Sequence, residues 1–275
     1  MSQAILHDGS TIEIEVAGSG PTLLLPVNPQ PVTGPQAEQM RKYGADPALG
    51  QSLIKALSDA FRIVAFDYEG QCFRRPKPDT LTPVNIANDL LAVADAAEAD
   101  QFAYYGYSWL AMVGLQLAMR TDRLSALVMG GFSPLNGPYE EMLRVTTAAY
   151  EMASGARPMP SADESEWSGF SLSKDQTRQF VTLYQALQGF DDRAAQARLT
   201  CPRLCFVGSK DEIQYSKSWG NVHVSLADPI VRGQAQLAEL GWDVRVLDGL
   251  DHMQAMQAKQ VVPILRSWLA TNLGS

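Results

Sequence analysis

Mainly apolar runs of strand length alternate with segments of helical spacing along most of the chain. Residues 11–16 alternate apolar and polar side chains, which is typical of a half-buried strand. Further strands are predicted at residues 23–25, 61–66, 102–105, 124–129, 203–207 and 244–247. Helices are predicted to start at Asp46, Thr82, Leu110, Ser173, Ile230 and Val262. This alternation indicates the α/β class, with a mostly parallel central sheet and helices on both faces.

The alternation stops after residue 129, and residues 138–197 lack any strand pattern. Residues 141–150 and 173–187 have helical spacing, and Ser173 with Gln176 forms a capping-box pattern at the second helix. Residues 158–171 read as a polar, acidic loop between them. We therefore predict a single domain over residues 1–275, with a helical lid at about 137–197 inserted into the α/β scaffold.

Length and charge narrow the class of protein. A chain of 275 residues suits one large α/β domain. The net charge of −8 argues against nucleic-acid or anionic membrane partners, because both require a basic face. No apolar stretch reaches the roughly 18 residues of a membrane span, and residues 1–9 lack the pattern of a signal peptide. We expect a cytoplasmic protein that is a monomer or a homodimer.

A serine lies where a predicted strand runs into a predicted helix, in the segment Gly106-Tyr107-Ser108-Trp109-Leu110. A tight turn there lifts the Ser108 hydroxyl above the sheet and points the backbone N–H of Trp109 towards a developing oxyanion. Gly106 meets the need for a small residue two positions before the serine, whereas Leu110 departs from it two positions after. Taken alone, the segment also fits a serine that only caps a helix.

An acid and a base follow two later strands. Asp211 comes after the strand at 203–207, and His252 comes after the strand at 244–247. The carboxyl ends of parallel strands meet at one edge of a sheet, so His252 can take the Ser108 proton and Asp211 can fix its tautomer. Asp211 could instead be a turn residue, and Asp251 is the second candidate for the acid. The chain has only two other histidines. His7 lies before the strand at 11–16, and His223 is a candidate to line the substrate pocket.

This order of serine, acid and histidine resembles the α/β-hydrolase superfamily, in particular its lidded esterase-like members. The resemblance covers residues 12–273 and rests on four motifs, which are Gly106-x-Ser108, Gly208-x-x-Asp211, Asp251-His252 and Asp67-x-x-Gly70. It implies the α/β-hydrolase fold, with Ser108 as nucleophile, Asp211 as acid and His252 as base. We interpret the turn at residues 67–71 as a structural brace.

Family members often carry His-Gly in the loop that supplies the second oxyanion donor, whereas this chain has Pro26-Val27-Asn28-Pro29. Proline has no N–H, so we expect the N–H of Asn28 to donate, with Val27 as the alternative. The residues predicted to line the substrate pocket are Tyr107, Val27, Phe180 and Tyr184. Apolar lid side chains favour a small-molecule substrate with an apolar acyl or alkyl group.

These features predict a serine hydrolase that cleaves a carboxylic ester, a lactone or a thioester through an acyl-enzyme. No metal or cofactor motif is present in the sequence, and Cys201 and Cys205 lie in an apolar run and are interpreted as core residues, so we expect no cofactor. Two alternatives stay open. One is an enzyme that uses the same triad for C–C cleavage, acyl transfer or proton abstraction. The other is a non-catalytic ligand-binding protein on the same fold.

Overall fold

A computed structural model describes residues 2–158 and 172–274. Its strands are β1 (Ser2–Ile5), β2 (Thr11–Ala17), β3 (Thr22–Leu25), β4 (Arg62–Ala65), β5 (Phe102–Tyr107), β6 (Leu124–Gly130), β7 (Arg203–Gly208), β8 (Glu212–Gln214), β9 (His223–Ser225) and β10 (Trp242–Leu247). Its helices are α1 (Gly34–Lys42), α2 (Leu49–Leu57), α3 (Tyr68–Arg74), α4 (Pro83–Ala96), α5 (Trp109–Ala118), α6 (Tyr139–Ala153), α7 (Lys174–Ala186), α8 (Asp192–Ala195), α9 (Asp228–Glu239), α10 (His252–Ala255) and α11 (Ala258–Leu273).

Within the described ranges, eight strands form one central sheet in the order β1-β2-β4-β3-β5-β6-β7-β10. Strand β2 pairs antiparallel with β1 and with β4, and all other neighbours in the sheet are parallel. The remaining strands, β8 and β9, pair antiparallel as a separate hairpin. The mostly parallel sheet predicted from the sequence is therefore confirmed, and the carboxyl ends of β3 to β7 and β10 lie along one edge.

Both faces of the sheet are covered by helices. Residues of one strand alternate between two hydrophobic clusters, so that Leu24 packs in the first cluster while Leu23 and Leu25 pack in the second. Helices α4 and α5 contribute to the first cluster, for example through Leu90, and α2 and α11 contribute to the second, for example through Leu265. Strands with two buried faces explain why the sequence shows apolar runs in place of strict alternation.

Several element boundaries differ from the sequence prediction. Asp46 does not cap a helix, because its carboxylate accepts the N–H of Ala48 at 2.9 Å and closes a turn ahead of α2. Helix α11 begins at Ala258 and contains Pro263 in its second turn, where proline removes only one helical hydrogen bond. The sequence analysis also missed β1, α1, α3, α10 and the hairpin of β8 and β9.

The histidine predicted to precede the first strand, His7, instead lies in the turn between β1 and β2. Its Nδ1 is 2.9 Å from the carboxylate of Asp89, which is fully buried. The hydroxyl of Tyr68 donates to the same carboxylate at 2.8 Å. This histidine therefore ties the first hairpin to α3 and α4, which is a structural role.

The connection from β6 to β7 contains α6, α7 and α8, and α6 packs against α7. Residues 159–171, which cover nearly all of the predicted polar loop at 158–171, lie outside the described residues. The predicted capping box is present, since Ser173 accepts the N–H of Gln176 and the Gln176 side chain accepts the N–H of Ser173. A lid at about 137–197 stays a prediction.

Helix α7 is attached to the body of the protein by a buried glutamine. The Gln179 amide donates to the Cys72 carbonyl at 3.2 Å and accepts the N–H of Lys77 at 3.1 Å. Nearby, the Gln176 amide donates to the carbonyl of Phe73 at 2.8 Å. These bonds fix α7 against α3 and the segment that follows it. No helix among the described residues is long and apolar enough to cross a membrane.

Candidate active site

Ser108 occupies a strained turn between β5 and α5. Its backbone has φ 58° and ψ −132°, a conformation that costs a residue with a side chain roughly 1–3 kcal/mol. The N–H of Ser108 donates to the carbonyl of Gly130 at 2.8 Å, which holds the turn against the end of β6. Its carbonyl accepts the N–H of Ala111 at 2.9 Å and so begins the helix. The side chain is half-buried at the carboxyl edge of the sheet.

The positions two residues before and two residues after Ser108, Gly106 and Leu110, differ in the space available for a side chain. A Cβ at residue 106 would lie 2.3 Å from the carbonyl oxygen of Leu110, so this position requires glycine. The Leu110 carbonyl also accepts the buried hydroxyl of Tyr104 at 2.8 Å. The Leu110 side chain is only 7% exposed and packs in the first hydrophobic cluster. A large residue is therefore accommodated where the family pattern has a small one.

The predicted acid and base are hydrogen-bonded to each other. The Asp211 carboxylate lies 2.8 Å from Nδ1 of His252, and its side chain is fully buried while that of His252 is 19% exposed. The Asp211 carbonyl accepts the N–H groups of Leu226 and Ala227, which fixes the loop after β7. This arrangement assigns the proton of the neutral ring to Nδ1 and leaves Nε2 as an acceptor.

The alternative acid, Asp251, has a different partner. Its carboxylate accepts the N–H of Gln254 at 2.8 Å, and the Gln254 amide oxygen accepts the N–H of Asp251 in return. This capping box starts α10 at the next residue, His252. Asp251 therefore positions the backbone that carries the imidazole, while Asp211 contacts the ring.

Tyr107, predicted as a pocket residue, contacts His252 through both its hydroxyl and its ring. Its hydroxyl donates to the carbonyl of His252 at 2.7 Å, and the two rings lie 5.0 Å apart. Burial raises the pKa of Tyr107, so the hydroxyl stays a neutral donor. The structure records no hydrogen bond between the Ser108 hydroxyl and His252, both described residues. Such bonds often form only once substrate is bound.

The two predicted oxyanion donors are Trp109 and Asn28. Leu24 of β3 is paired with Tyr104 of β5, and Asn28 and Ser108 each lie four residues beyond this pair. The backbone N–H groups of Trp109 and Asn28 both lack a hydrogen-bond acceptor among residues 2–158 and 172–274. The N–H of the alternative donor, Val27, instead donates to the carbonyl of Leu25 at 2.8 Å. The bonding pattern therefore favours Asn28 over Val27.

The other predicted pocket residues are spread over different environments. Phe180 of α7 packs edge-on against the Trp109 indole, with ring centroids 5.4 Å apart. Tyr184, one turn further along α7, is 1% exposed and belongs to the first hydrophobic cluster. Val27 is half-buried, and its side chain packs closely over Gly50 at the start of α2. Of these three residues, Phe180 is thus the one that contacts a neighbour of the nucleophile.

Sequence reasoning missed Glu69. Residues 67–71 were predicted as a bracing turn, but Asp67 caps α3 by accepting the N–H of Gly70 at 3.0 Å. Glu69, two residues after Asp67, accepts the indole N–H of Trp109 at 2.7 Å.

Among residues 2–158 and 172–274, no group of three or more His, Cys, Asp or Glu side chains is placed so that it could hold a metal ion. The loops at this edge of the sheet carry Ser108, the hydrogen-bonded pair of His252 and Asp211, and Glu69, which accepts the indole N–H of Trp109. They can supply a nucleophile, a base with its oriented ring, and a carboxylate next to an aromatic wall.

Comparisons with known proteins bear on this arrangement. No family model matches the chain. RutD of Klebsiella pneumoniae (strain 342), whose name assigns it provisionally to carbamate hydrolysis, is 26% identical over 187 residues, 61% of this chain and 70% of RutD. RutD of Agrobacterium fabrum is 33% identical over 72 residues, and this match spans 28% of that relative's length and 26% of this chain.

Solved structures match over nearly the whole chain. The enol-lactonase of Burkholderia xenovorans LB400 superimposes with a TM-score of 0.64 at 18% identity, covering 98% of this chain and 99% of that protein. A thermophilic esterase of Thermogutta terrifontis gives a TM-score of 0.64 at 18% identity, covering 98% of each chain. Together with the sheet order and the turn at Ser108, these likenesses show that the protein has the α/β-hydrolase fold.

Proposed function

We propose that the protein is a serine hydrolase that cleaves a carboxylic ester through an acyl-enzyme, with Ser108 as nucleophile. The observation that carries this proposal is the 2.8 Å bond from buried Asp211 to Nδ1 of His252, at the edge of the sheet where the strained turn presents Ser108. A buried carboxylate that orients an imidazole at the sheet edge that presents a serine is the arrangement that activates a hydroxyl for acyl transfer.

The proposed reaction begins with attack of the Ser108 hydroxyl on the ester carbonyl, while Nε2 of His252 takes the hydroxyl proton. Asp211 stabilises the imidazolium that forms. The N–H groups of Trp109 and Asn28 then donate to the oxyanion, and each such donor lowers the barrier by about 3 kcal/mol. His252 returns the proton to the leaving alkoxide, and water activated by the same histidine hydrolyses the acyl-enzyme.

The named relatives support the coarser statement that the protein is a hydrolase. The neighbours in structure are named as an esterase and an enol-lactonase, and the relatives in sequence are named for carbamate hydrolysis. Attack on an acyl carbonyl is common to ester, lactone, thioester and carbamate cleavage. We propose in addition that residues 137–197 form a lid, with Phe180 turned towards the acyl or alkyl group of a small-molecule substrate.

A fluorophosphonate probe tests the nucleophile directly. We expect the folded protein to be labelled at Ser108 alone, as read by mass spectrometry of the modified peptide, and denatured protein to remain unlabelled. Ser108→Ala and His252→Ala should both abolish labelling and the hydrolysis of p-nitrophenyl esters. Ester hydrolysis that survives in purified Ser108→Ala protein would overturn the proposal.

A further inference from the structure

The carboxylate of Glu69 borders the candidate active site. Glu69 lies in the first turn of α3, which follows β4 at the same sheet edge as the turn that carries Ser108. Its Oε1 accepts the indole N–H of Trp109 at 2.7 Å. Because Trp109 directly follows the nucleophile in sequence, this bond brings an acidic side chain beside the site.

No basic side chain of residues 2–158 and 172–274 forms an ion pair with Glu69. The arginine of its own helix, Arg74, is 2.7 Å from the carboxylate of Asp67 instead. The Glu69 side chain is exposed, and the Trp109 indole engages one of its two oxygens. The carboxylate thus keeps an accessible acceptor and a negative charge without a protein cation opposite it.

Two aromatic rings lie near the Trp109 indole. The Trp109 indole packs edge-on against Phe180 with ring centroids 5.4 Å apart and lies 6.3 Å from the ring of Tyr68. The Tyr68 ring is fully buried, so of these three rings only the half-buried Trp109 and Phe180 can meet a ligand at Glu69. The carboxylate attracts an organic ammonium group through charge, and the face of a neighbouring ring adds the cation–π interaction. The net charge of −8 also raises the local concentration of cationic ligands relative to anionic ones.

We propose that Glu69 and Trp109 form a recognition site for an organic ammonium group, so that the preferred substrate is an ester that carries a cation close to its acyl bond. This inference rests on the proposed function, since it names the substrate class of the same site. Glu69 acts in it as a specificity-determining residue, and the apolar part of the substrate contacts Phe180.

A matched pair of esters tests the charge requirement. A choline ester and the 3,3-dimethylbutyl ester of the same acid have nearly the same shape, and only the choline ester is charged. We expect kcat/KM to favour the choline ester by about fivefold, a typical effect of a cation–π contact at an exposed site together with the nearby carboxylate. Glu69→Gln should remove most of this preference, because glutamine retains an acceptor for the Trp109 indole but carries no charge.

The matched control is Glu239→Gln, an identical change at an exposed position at the end of α9. It should leave the ratio of the two kcat/KM values unchanged. A purely structural role for Glu69 would lower both values together in Glu69→Gln and keep their ratio. That outcome would overturn the inference.

Binding of tetramethylammonium to Ser108→Ala protein, followed by calorimetry, separates the two proposals. In one outcome, the wild-type protein hydrolyses no ester, while Ser108→Ala protein binds tetramethylammonium saturably and Ser108→Ala/Glu69→Gln protein does not. The ammonium site then stands and the proposed function fails. If esters are hydrolysed at Ser108 while neither the ester ratio nor tetramethylammonium binding depends on Glu69, the inference fails and the proposed function stands.

Discussion

The imidazole of His252 is held by Asp211, a carboxylate 41 residues away in sequence, and not by its direct neighbour Asp251. The neighbouring carboxylate is engaged by the N–H of Gln254 and starts the short helix α10. The division follows from geometry, because a residue adjacent to the histidine reaches backbone N–H groups of the next turn more easily than the ring nitrogen. Two aspartates thus orient one histidine, one through its ring and the other through its backbone.

This division predicts opposite outcomes for one chemical change at two positions. Asp211→Asn should lower kcat for a p-nitrophenyl ester by about 10⁴-fold, because an amide stabilises the wrong tautomer and cannot balance the imidazolium. Asp251→Asn should change kcat less than about threefold, since asparagine caps a helix about as well as aspartate. Steady-state kinetics of both variants decide the matter, and a larger loss in Asp251→Asn would assign the acid to Asp251.

The triad candidates could be predicted because each follows an apolar strand at the carboxyl end. Parallel pairing then brings Ser108, Asp211 and His252 to one edge whatever the loops do in detail. The same reasoning reached Asn28 and excluded its proline neighbours. It left the choice between Asn28 and Val27 open, because that choice depends on a turn closed by the Leu25 carbonyl.

Glu69 could not be predicted from the sequence for a related reason. Its role depends on the rotamer of Trp109 and on the helical conformation of residues 68–74, neither of which leaves a periodic pattern in seven residues. The burial of Tyr184 in the first hydrophobic cluster could not be predicted either. Helical spacing alone does not tell whether a tyrosine packs in the core or lines a pocket. Long-range topology was thus readable, whereas local side-chain direction was not.

The turn at Ser108 should be sensitive to the size of residue 106. Gly106→Ala would bring a Cβ to 2.3 Å from the Leu110 carbonyl oxygen, and we expect a loss of about 2–3 kcal/mol in the free energy of unfolding. Gly233→Ala, within α9, has no atom within 4 Å of the new Cβ and should raise stability by up to about 1 kcal/mol. Urea unfolding of both variants measures the contrast, and equal effects would contradict the close approach.

Attachment of α7 should depend on Gln179. Gln179→Leu leaves the Lys77 N–H and the Cys72 carbonyl without their buried partner, so we expect about 2–4 kcal/mol of destabilisation. Hydrogen exchange should rise in α7, the helix that carries Phe180. The control Gln185→Leu, at an exposed position of the same helix, should leave exchange unchanged. If exchange in α7 stays at the wild-type rate in Gln179→Leu, the helix is held by other contacts.

The ion pair between Asp8 and buried Lys77 should give the protein a distinctive acid dependence. Lys77 is 2% exposed and contacts the Asp8 carboxylate. Burial raises the pKa of Asp8, but hydrogen bonds from Lys77 and Ser10 outweigh it and lower the pKa from 3.8 to about 2. A lowered pKa means that the pair stabilises the fold fully above about pH 4 and loses this contribution as the pH falls towards 2.

Asp8→Asn isolates that contribution, because its amide oxygen can still accept the two hydrogen bonds from Ser10. We expect the variant to be less stable than wild type by about 3 kcal/mol at pH 7, because the change leaves the buried ammonium of Lys77 without its carboxylate partner. The difference should shrink between pH 4 and pH 2, as followed by urea unfolding across this range. Asp122→Asn, an identical change at an exposed position, should show no such trend. A difference that stays constant down to pH 2 would mean that the Asp8 pKa is not lowered by Lys77.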